Sequence, residues 1–454
     1  MSGSSCARLS VLTDEELDAD GRYVLYWMQH SQRAVGNPAL EHAAEWSNRL
    51  DLPLYVLFVI VPDYPDANAR HFAFMLEGLA NAAGSLKRRN IHFAVRIGDP
   101  CEIVATCAKN AAVVVFDRAY LRPLVAWREE LAQSIGRRVE MVEGDVIVPV
   151  AAASDKQETG ARTIRPKIHR VIDQYLDAPD TVTVKRKARG LGDDDDLNVD
   201  DTAAMLDRIG CRDTVGPVDT LKGGYSAARA RLNHFTKTSL QDYAEGRSDI
   251  LHRNVSMLSP YLHFGHISPL EVYHAVRDAD ASGDNAKAFI EEMVVRRELA
   301  ANFVHYNRAY DSWEAIPKWA RETLSEHRKD TRDAIYSRDE LAYGKTDDPY
   351  WNAAMREMRL TGYLHNHMRM YWGKRVLGWM EDPADAHRTL IDLNNTYLLD
   401  GRDANTYANI AWIFGVHDRG WPQREVYGKV RTMKPSGLKR KFDIEAYVRW
   451  AENL

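Results

Sequence analysis

The sequence predicts two domains, a doubly wound parallel α/β domain followed by an all-α domain. Three observations carry that prediction. The 454 residues are more than one compact core organises. Through the first third, short continuous apolar runs alternate with helical patterns. From about residue 221 onward, apolar residues recur at helical spacing and β-branched runs disappear.

The strands are expected at 23–28 (YVLYWM), 54–61 (LYVLFVIV), 92–97 (HFAVRI), 112–117 (AVVVFD) and 139–142 (VEMV), with a long helix around 69–89. Apolar runs without alternation belong to strands buried on both faces. No GxGxxG follows the first strand, so the usual dinucleotide fingerprint is absent. The stretch MQHSQRAVGNP (28–38) lies where such sheets bind ligands, and its composition reads as a plain polar connection. Residues 1–20 read as a disordered lead-in, 21–150 as the α/β domain, 151–220 as the connection and 221–454 as the helical domain. Within the connection, KRKARGLGDDDDLNVDD (185–201) reads as a solvated charge run. Helices are expected at 227–245, 269–280, 286–306, 351–360, 363–379 and 383–395, the last opened by Asp382 as cap and Pro383 at its first position.

The bulk numbers exclude several classes. A net charge of −5 gives no global positive field, so any nucleic-acid contact must use a local patch. The four cysteines are scattered without metal-ligand spacing. No run is long enough to span a membrane, and the N-terminus has no apolar signal segment, so a cytoplasmic protein is expected.

Five constellations carry possible chemistry. In RNVSMLSPYLHFGHISP (253–269), Ser256, Ser259 and Gly265 surround a Pro-initiated helix, with Arg247 upstream. This is an anion site or an ordinary helix start. In IEEMVVRRELAANFVHYN (290–307), Glu291, Glu292, Arg296, Arg297 and Glu298 share a helix. They are exposed salt bridges, or Glu292 aims into a pocket. In 393–421, Asp400, Arg402, Asp403 and Asn405 crowd a glycine turn ahead of Trp412. The helix YLHNHMRMYWGKRVLGW (363–379) puts His365, Arg369, Trp372, Val376 and Trp379 on one stripe, and Trp351 lies upstream; such indoles are core or an electron path. The tail RTMKPSGLKRK (431–441) holds five basic residues and no acidic one, with Trp421 before it, and is a solvated loop or a phosphate contact.

In this order the pieces resemble the photolyase–cryptochrome family, and within it the class II cyclobutane pyrimidine dimer photolyases. The carrying motifs are LSPYLHFGHIS, VVRRELAANF, HNHMRMYW and LDGRDANTYANIAW, and the likeness runs from YVLYWMQHSQR to FGVHDRGWPQREVYGKVRTM. The resemblance implies an N-terminal α/β domain, a C-terminal helical FAD-binding domain, and repair of pyrimidine dimers in UV-damaged double-stranded DNA by a monomer. Tyr243, Arg247, Val255, Ser256, Met257, Leu258 and Ser259 match positions that hold the phosphates and ribityl chain of FAD. Asn366, Arg369, Asp400, Asp403 and Asn405 match positions around its rings. Asn394, with Asn405 as the alternative, matches the asparagine near flavin N5. Trp372, Trp351 and Trp379 match the electron-transfer tryptophans, inner to outer.

Glu292, Met370 and Trp412 match the pocket that receives the flipped dimer, where Glu292 hydrogen-bonds a pyrimidine carbonyl. Trp421 and Arg431 match residues that enter the duplex. Arg296 stands where some relatives carry a tryptophan, so this wall of the lesion site differs. The implied reaction is electron donation from excited reduced FAD to a flipped-out dimer, ring splitting and return of the electron. A deazaflavin antenna in the α/β domain is possible for the class, without a decisive signature here. A cryptochrome-like photoreceptor is the alternative, against which stand Glu292, Trp412 and the 13 residues after Lys441. A flavin electron carrier without a DNA role is disfavoured by the basic tail.

Overall fold

A computed structural model describes residues 7–192, 195–211, 215–279 and 283–454. Cys6, part of the acidic run (193–194) and the expected helix end at Asp280 lie outside the described residues.

Six strands form one sheet in the order β1-β6-β5-β2-β3-β4. They are β1 Leu9–Val11, β2 Tyr23–Trp27, β3 Leu54–Ile60, β4 His92–Ile97, β5 Ala111–Asp117 and β6 Val139–Val142. The five strands read from the apolar runs pair in parallel. β2, β3 and β5 are buried along their whole length, as strands covered on both faces should be. The order reverses between β2 and β5, which opens a crevice beyond their carboxyl ends.

Two expectations for the connections change. The lead-in is not wholly disordered: β1 pairs antiparallel with β6, covering that edge of the sheet. Arg8 anchors it by donating to the carbonyls of Glu143, Val146, Ile147 and Tyr175. At the opposite edge the acidic run is partly docked. Leu197 N donates to Val95 O on β4 at 2.8 Å, and Asp196 pairs with Arg96 and His92.

The second domain is helical. The expected helix 227–245 divides into Tyr225–Thr238 and a short turn Tyr243–Gly246. The expected helix 286–306 is interrupted, since Glu291–Arg296 winds as a π-helix between Gly283–Ile290 and Arg297–Tyr306. The tail is not a loop: Pro435–Lys441 and Ile444–Glu452 are helices. The stripe helix starts at Asn366, because His365 caps it by accepting from His367 N.

Buried arginines join the domains through backbone carbonyls. Arg33, after β2, donates to Gly265 O at 3.0 Å. Arg70 donates to the carbonyls of Met358, Arg359 and Tyr397. Gly265, read above with the anion loop, serves this junction instead. Its φ is +65°, and a Cβ there would stand 2.0 Å from His30 O.

Candidate active site: a polar cavity, a row of indoles and a basic rim

The helical domain holds a cavity with about 980 Å³ of free space, part of it open to solvent. Five separate segments bring the expected residues to it. Tyr243 comes from the short turn, and Ser256, Leu258 and Ser259 from the loop ahead of helix Ser259–His263. Glu292 comes from the π-helix, Asn366 and Arg369 from helix Asn366–Trp379, and Asp400, Asp403 and Asn405 from the glycine turn and helix Ala404–Ile413. Met257, in the loop, takes a left-handed backbone at φ +53°, a strained conformation that turns Ser256 and Leu258 the same way.

The charges of the wall are arranged in pairs. Arg369 donates to Asp400 Oδ2 and to Leu364 O, both at 2.8 Å. Burial opposes the Arg369 charge, but Asp400 holds its pKa above the ordinary arginine value. The other carboxylate oxygen of Asp400 is buried without a hydrogen-bond partner among the described residues. Burial also opposes the Asp403 charge, yet the His263 ring, 3.2 Å away, holds that carboxyl at about 2. Burial lowers His263 itself, so at neutral pH the pair is a carboxylate facing a neutral imidazole.

At the mouth, Arg247 Nη1 donates to Glu292 Oε1 at 2.6 Å, and both side chains are more than a third exposed. The π-helix separates two neighbouring carboxylates. Glu292 turns to this mouth, whereas Glu291 turns outward to Arg165 and Arg296. Arg296, half exposed, therefore lies on the surface and not in the cavity wall.

Asn394 does not line the cavity. Its Nδ2 donates to Thr406 Oγ1 at 3.1 Å, and Thr406 does line it. Asn405 lines the cavity, with its amide committed to Asp403 Oδ1 at 2.8 Å. Val255, Arg247 and Met257 are likewise outside the wall proper. His263 and Asn409 line it and were not singled out from sequence; Arg297, read from sequence as one charge of its helix, lines it as well. Asn409 carried a usable signal, since it follows Asn405 by four residues on one helix. Trp412 continues that row one turn further along the helix.

The three indoles are at most 2% exposed. Trp351 lies between the other two, stacked on Trp372 at 6.4 Å between ring centroids and edge-on to Trp379 at 5.5 Å. Trp351 Nε1 donates to Trp372 O at 3.0 Å, and Trp372 Nε1 to Met355 Sδ at 3.0 Å. Tyr336 covers the outer indole at 5.1 Å, and the Arg375 guanidinium lies 4.4 Å from its centre.

Cations and a second indole gather around Trp412, on the helix that also carries Asn405 and Asn409. The Arg431 guanidinium stands 5.7 Å from the Trp412 ring and 5.0 Å from the Trp421 ring. Arg419 adds a second cation 5.5 Å from Trp421. Met370 is half-buried on the stripe helix, next to Arg369.

A second cavity, with about 1000 Å³ of free space, lies at the carboxyl ends of β2, β3 and β5. The stretch read as a plain connection lines it through Gln29, His30 and Gln32. Asp117, ending β5, fixes that stretch by accepting from Gln29 N, His30 N and Ser31 N. Arg402, at φ +59°, lines this cavity only, whereas its neighbour Asp403, with His263, lies between the two cavities and lines both. Both polar ends of Gln29, Gln32 Oε1 and two guanidinium nitrogens of Arg402 are buried there without hydrogen-bond partners among the described residues.

Comparison with known proteins shows the family of the chain. A family profile described as DNA photolyase matches residues 24–185. A deoxyribodipyrimidine photo-lyase of Methanothermobacter thermautotrophicus is 42% identical over 445 residues, covering 97% of this chain and 97% of its own. One from Oryza sativa subsp. japonica is 38% identical over 459 residues, covering 96% of this chain and 88% of its own. The crystal structure of a class III photolyase from Agrobacterium tumefaciens shares the fold at a TM-score of 0.72 and 20% identity, covering 96% of this chain and 87% of that one. With relatives this similar along nearly its full length, the chain belongs to the DNA photolyase family.

Proposed function

We propose that the protein is a light-driven DNA repair lyase that splits cyclobutane pyrimidine dimers, with FAD in the helical-domain cavity. The carrying observation is a polar cavity whose two wall helices carry the other parts: Asn366–Trp379 bears Arg369 with the buried indoles Trp372 and Trp379, and Ala404–Ile413 bears Asn405 with Trp412 and its cations. The donor set suits the cofactor. Hydroxyls of Ser256 and Ser259 and the guanidinium of Arg247 suit phosphates. The orphan oxygen of Asp400 and the amides of Asn366, Asn405 and Asn409 suit the hydrogen-bonding edges of the rings. When bound and reduced, FAD supplies a photoexcited electron donor.

The chain's own residues supply the rest. Arg369 puts a fixed positive charge beside an electron-rich ring system, and Asp400 keeps that guanidinium in place. Of the two asparagines matched to flavin N5, Asn405 lines the cavity and Asn394 stands behind it, donating to the lining Thr406. Trp372, Trp351 and Trp379 form the path by which electrons reach the cofactor to keep it reduced. A dimer inside the duplex is out of reach, so it must leave the stack. Trp421 and Arg431 fill and hold the gap, while Trp412 and Met370 pack on the bases. Glu292, released from Arg247 or shared with it, meets a pyrimidine carbonyl.

The resemblance implies a monomer as the working unit, acting where the cell keeps its DNA. The second cavity is the place for an antenna chromophore of the deazaflavin type, with Gln29, Gln32 and Arg402 as its polar partners. Excitation of a deazaflavin-reconstituted protein should then sensitise repair, which Gln29→Leu with Gln32→Leu would abolish.

The test of the main reading uses the FAD-loaded, reduced protein and an oligonucleotide with one thymine dimer, compared in the dark and under blue light. Loss of the dimer only in the light supports it. An intact dimer beside normal photoreduction of the flavin would move the function to a photoreceptor.

A further inference from the structure

Lys374 is an anomaly on the stripe helix. It is 1% exposed, although lysine almost never goes fully underground without a carboxylate partner. Its Nζ donates to Ile413 O and stands 5.5 Å from the centre of the Trp412 ring. Ile413 ends the helix Ala404–Ile413, so its carbonyl is one that the helix leaves unpaired. A cation there caps the helix and meets the negative end of its dipole. Gly373 leaves room for the contact: a Cβ there would stand 2.1 Å from Ile413 Cδ1, so any larger residue would have to push the Ile413 side chain aside.

Trp412 thus has two cations within 6 Å, Lys374 from the interior and Arg431 from the rim. Two charged groups act on Lys374: Asp418, after the Trp412 helix, and Arg431 on the tail. The Tyr427 hydroxyl donates to the Lys374 carbonyl and not to its ammonium. The packed helices Pro349–Thr361 and Pro383–Tyr397 add no charge that acts on it among the described residues.

We propose that Lys374 is a positioning residue of the DNA-facing site: it holds Trp412 and the end of its helix from beneath, and it takes up a proton when DNA phosphate closes on Arg431. The inference rests on the reading of Trp412 and Arg431 as the DNA-facing rim. Burial, with Arg431 beside it, brings the ammonium down to about 7, while Asp418 opposes the shift. Phosphate near Arg431 offsets the repulsion and favours the charged form. The proton comes from solvent, and the neutral amine keeps its hydrogen bond to Ile413 O. Burial holds nearby His367 and His417 at about 4, so neither competes in the neutral window.

The test measures the dissociation constant of the FAD-loaded protein for a duplex carrying one thymine dimer, between pH 6 and 8.5. Linkage of one proton weakens binding as pH rises, by about threefold to tenfold across that range. Calorimetry in two buffers of different ionisation heat should show proton uptake near pH 7.5 in the wild type. Lys374→Met should abolish both uptake and pH dependence, and Lys374→Arg should keep tight binding at both ends of the range. Absence of uptake in the wild type overturns the proposal, whether or not the variants fold. If Arg431→Ala leaves affinity unchanged, the rim reading itself falls. If Arg431→Ala weakens binding while Lys374→Met keeps the wild-type pH dependence, the rim reading stands and the role of Lys374 is refuted.

Discussion

The indole planes of Trp351 and Trp372 lie within 8° of parallel, and Trp351 Nε1 donates to Trp372 O. One side chain is thereby fixed against both the ring and the backbone of the other. The electron passage proposed between them would need no rearrangement. Replacing Trp351 or Trp372 by Phe keeps an apolar ring and removes the easily oxidised indole, at a packing cost of about 1–3 kcal/mol. Photoreduction of the bound flavin, followed by its absorbance under blue light, should slow severely in either variant. Repair by chemically reduced protein should persist.

Asp400 and Arg369 form a pair that is largely buried on both sides. Removing one partner of such a pair leaves an uncompensated charge, at about 3–5 kcal/mol. Asp400→Asn still offers one acceptor, so a loss near about 3 kcal/mol is expected. Denaturant unfolding of the flavin-free protein should show it, and flavin should be retained less well on gel filtration.

Asp403 sets part of the acid limit. Its folded pKa, about 2, lies below the ordinary value of 3.8. A depressed carboxyl contributes stability above its unfolded pKa and loses it as pH falls through the folded value. The loss therefore falls between pH 4 and 2, and its size is about 2 kcal/mol. Stability of Asp403→Asn measured by denaturant titration should fall less steeply than wild type across that window.

Arg431 and Trp421 should separate by salt. Removing Arg431 should weaken DNA binding across sequences and lower the salt slope of log Kd by about 1, because one phosphate contact is lost. Trp421→Ala should weaken lesion binding with the salt slope unchanged, because an indole neutralises no phosphate. Equal slopes for wild type and Arg431→Ala would remove Arg431 from the interface.

Much of the fold was legible because its signals are local. Continuous apolar runs marked five parallel strands, and helical spacing marked the second domain. β1 escaped because three residues, Leu9–Val11, show no period; an edge of β6 in need of cover made it a strand. The π-turn of Glu291–Arg296 escaped because the residues are ordinary helix formers. Its extra residue lets Glu291 reach Arg165 and Glu292 reach Arg247, a condition set by packing far along the chain.

The site was legible as residue types but not as contacts. Sequence marked Ser256, Arg369, Asp400 and Asn405 as a set, and the cavity collects them. It did not show that Asn394 stands behind Thr406, nor that Glu292 meets Arg247. Nothing in the sequence singles out Lys374, which the structure nevertheless buries against the end of helix Ala404–Ile413. Arg402 reads as part of the same polar crowd as Asp403, yet only Asp403 reaches both cavities, while Arg402 lines the one at the sheet.

The most direct test is the number of dimers split per bound flavin. The protein is reduced once, freed of reductant, kept without oxygen and lit continuously with excess dimer-bearing oligonucleotide. An electron that returns after each ring splitting predicts many dimers repaired per flavin, with the flavin still reduced at the end. Repair that stops at or below one dimer per flavin, with the flavin oxidised, would contradict light-driven repair without net redox change.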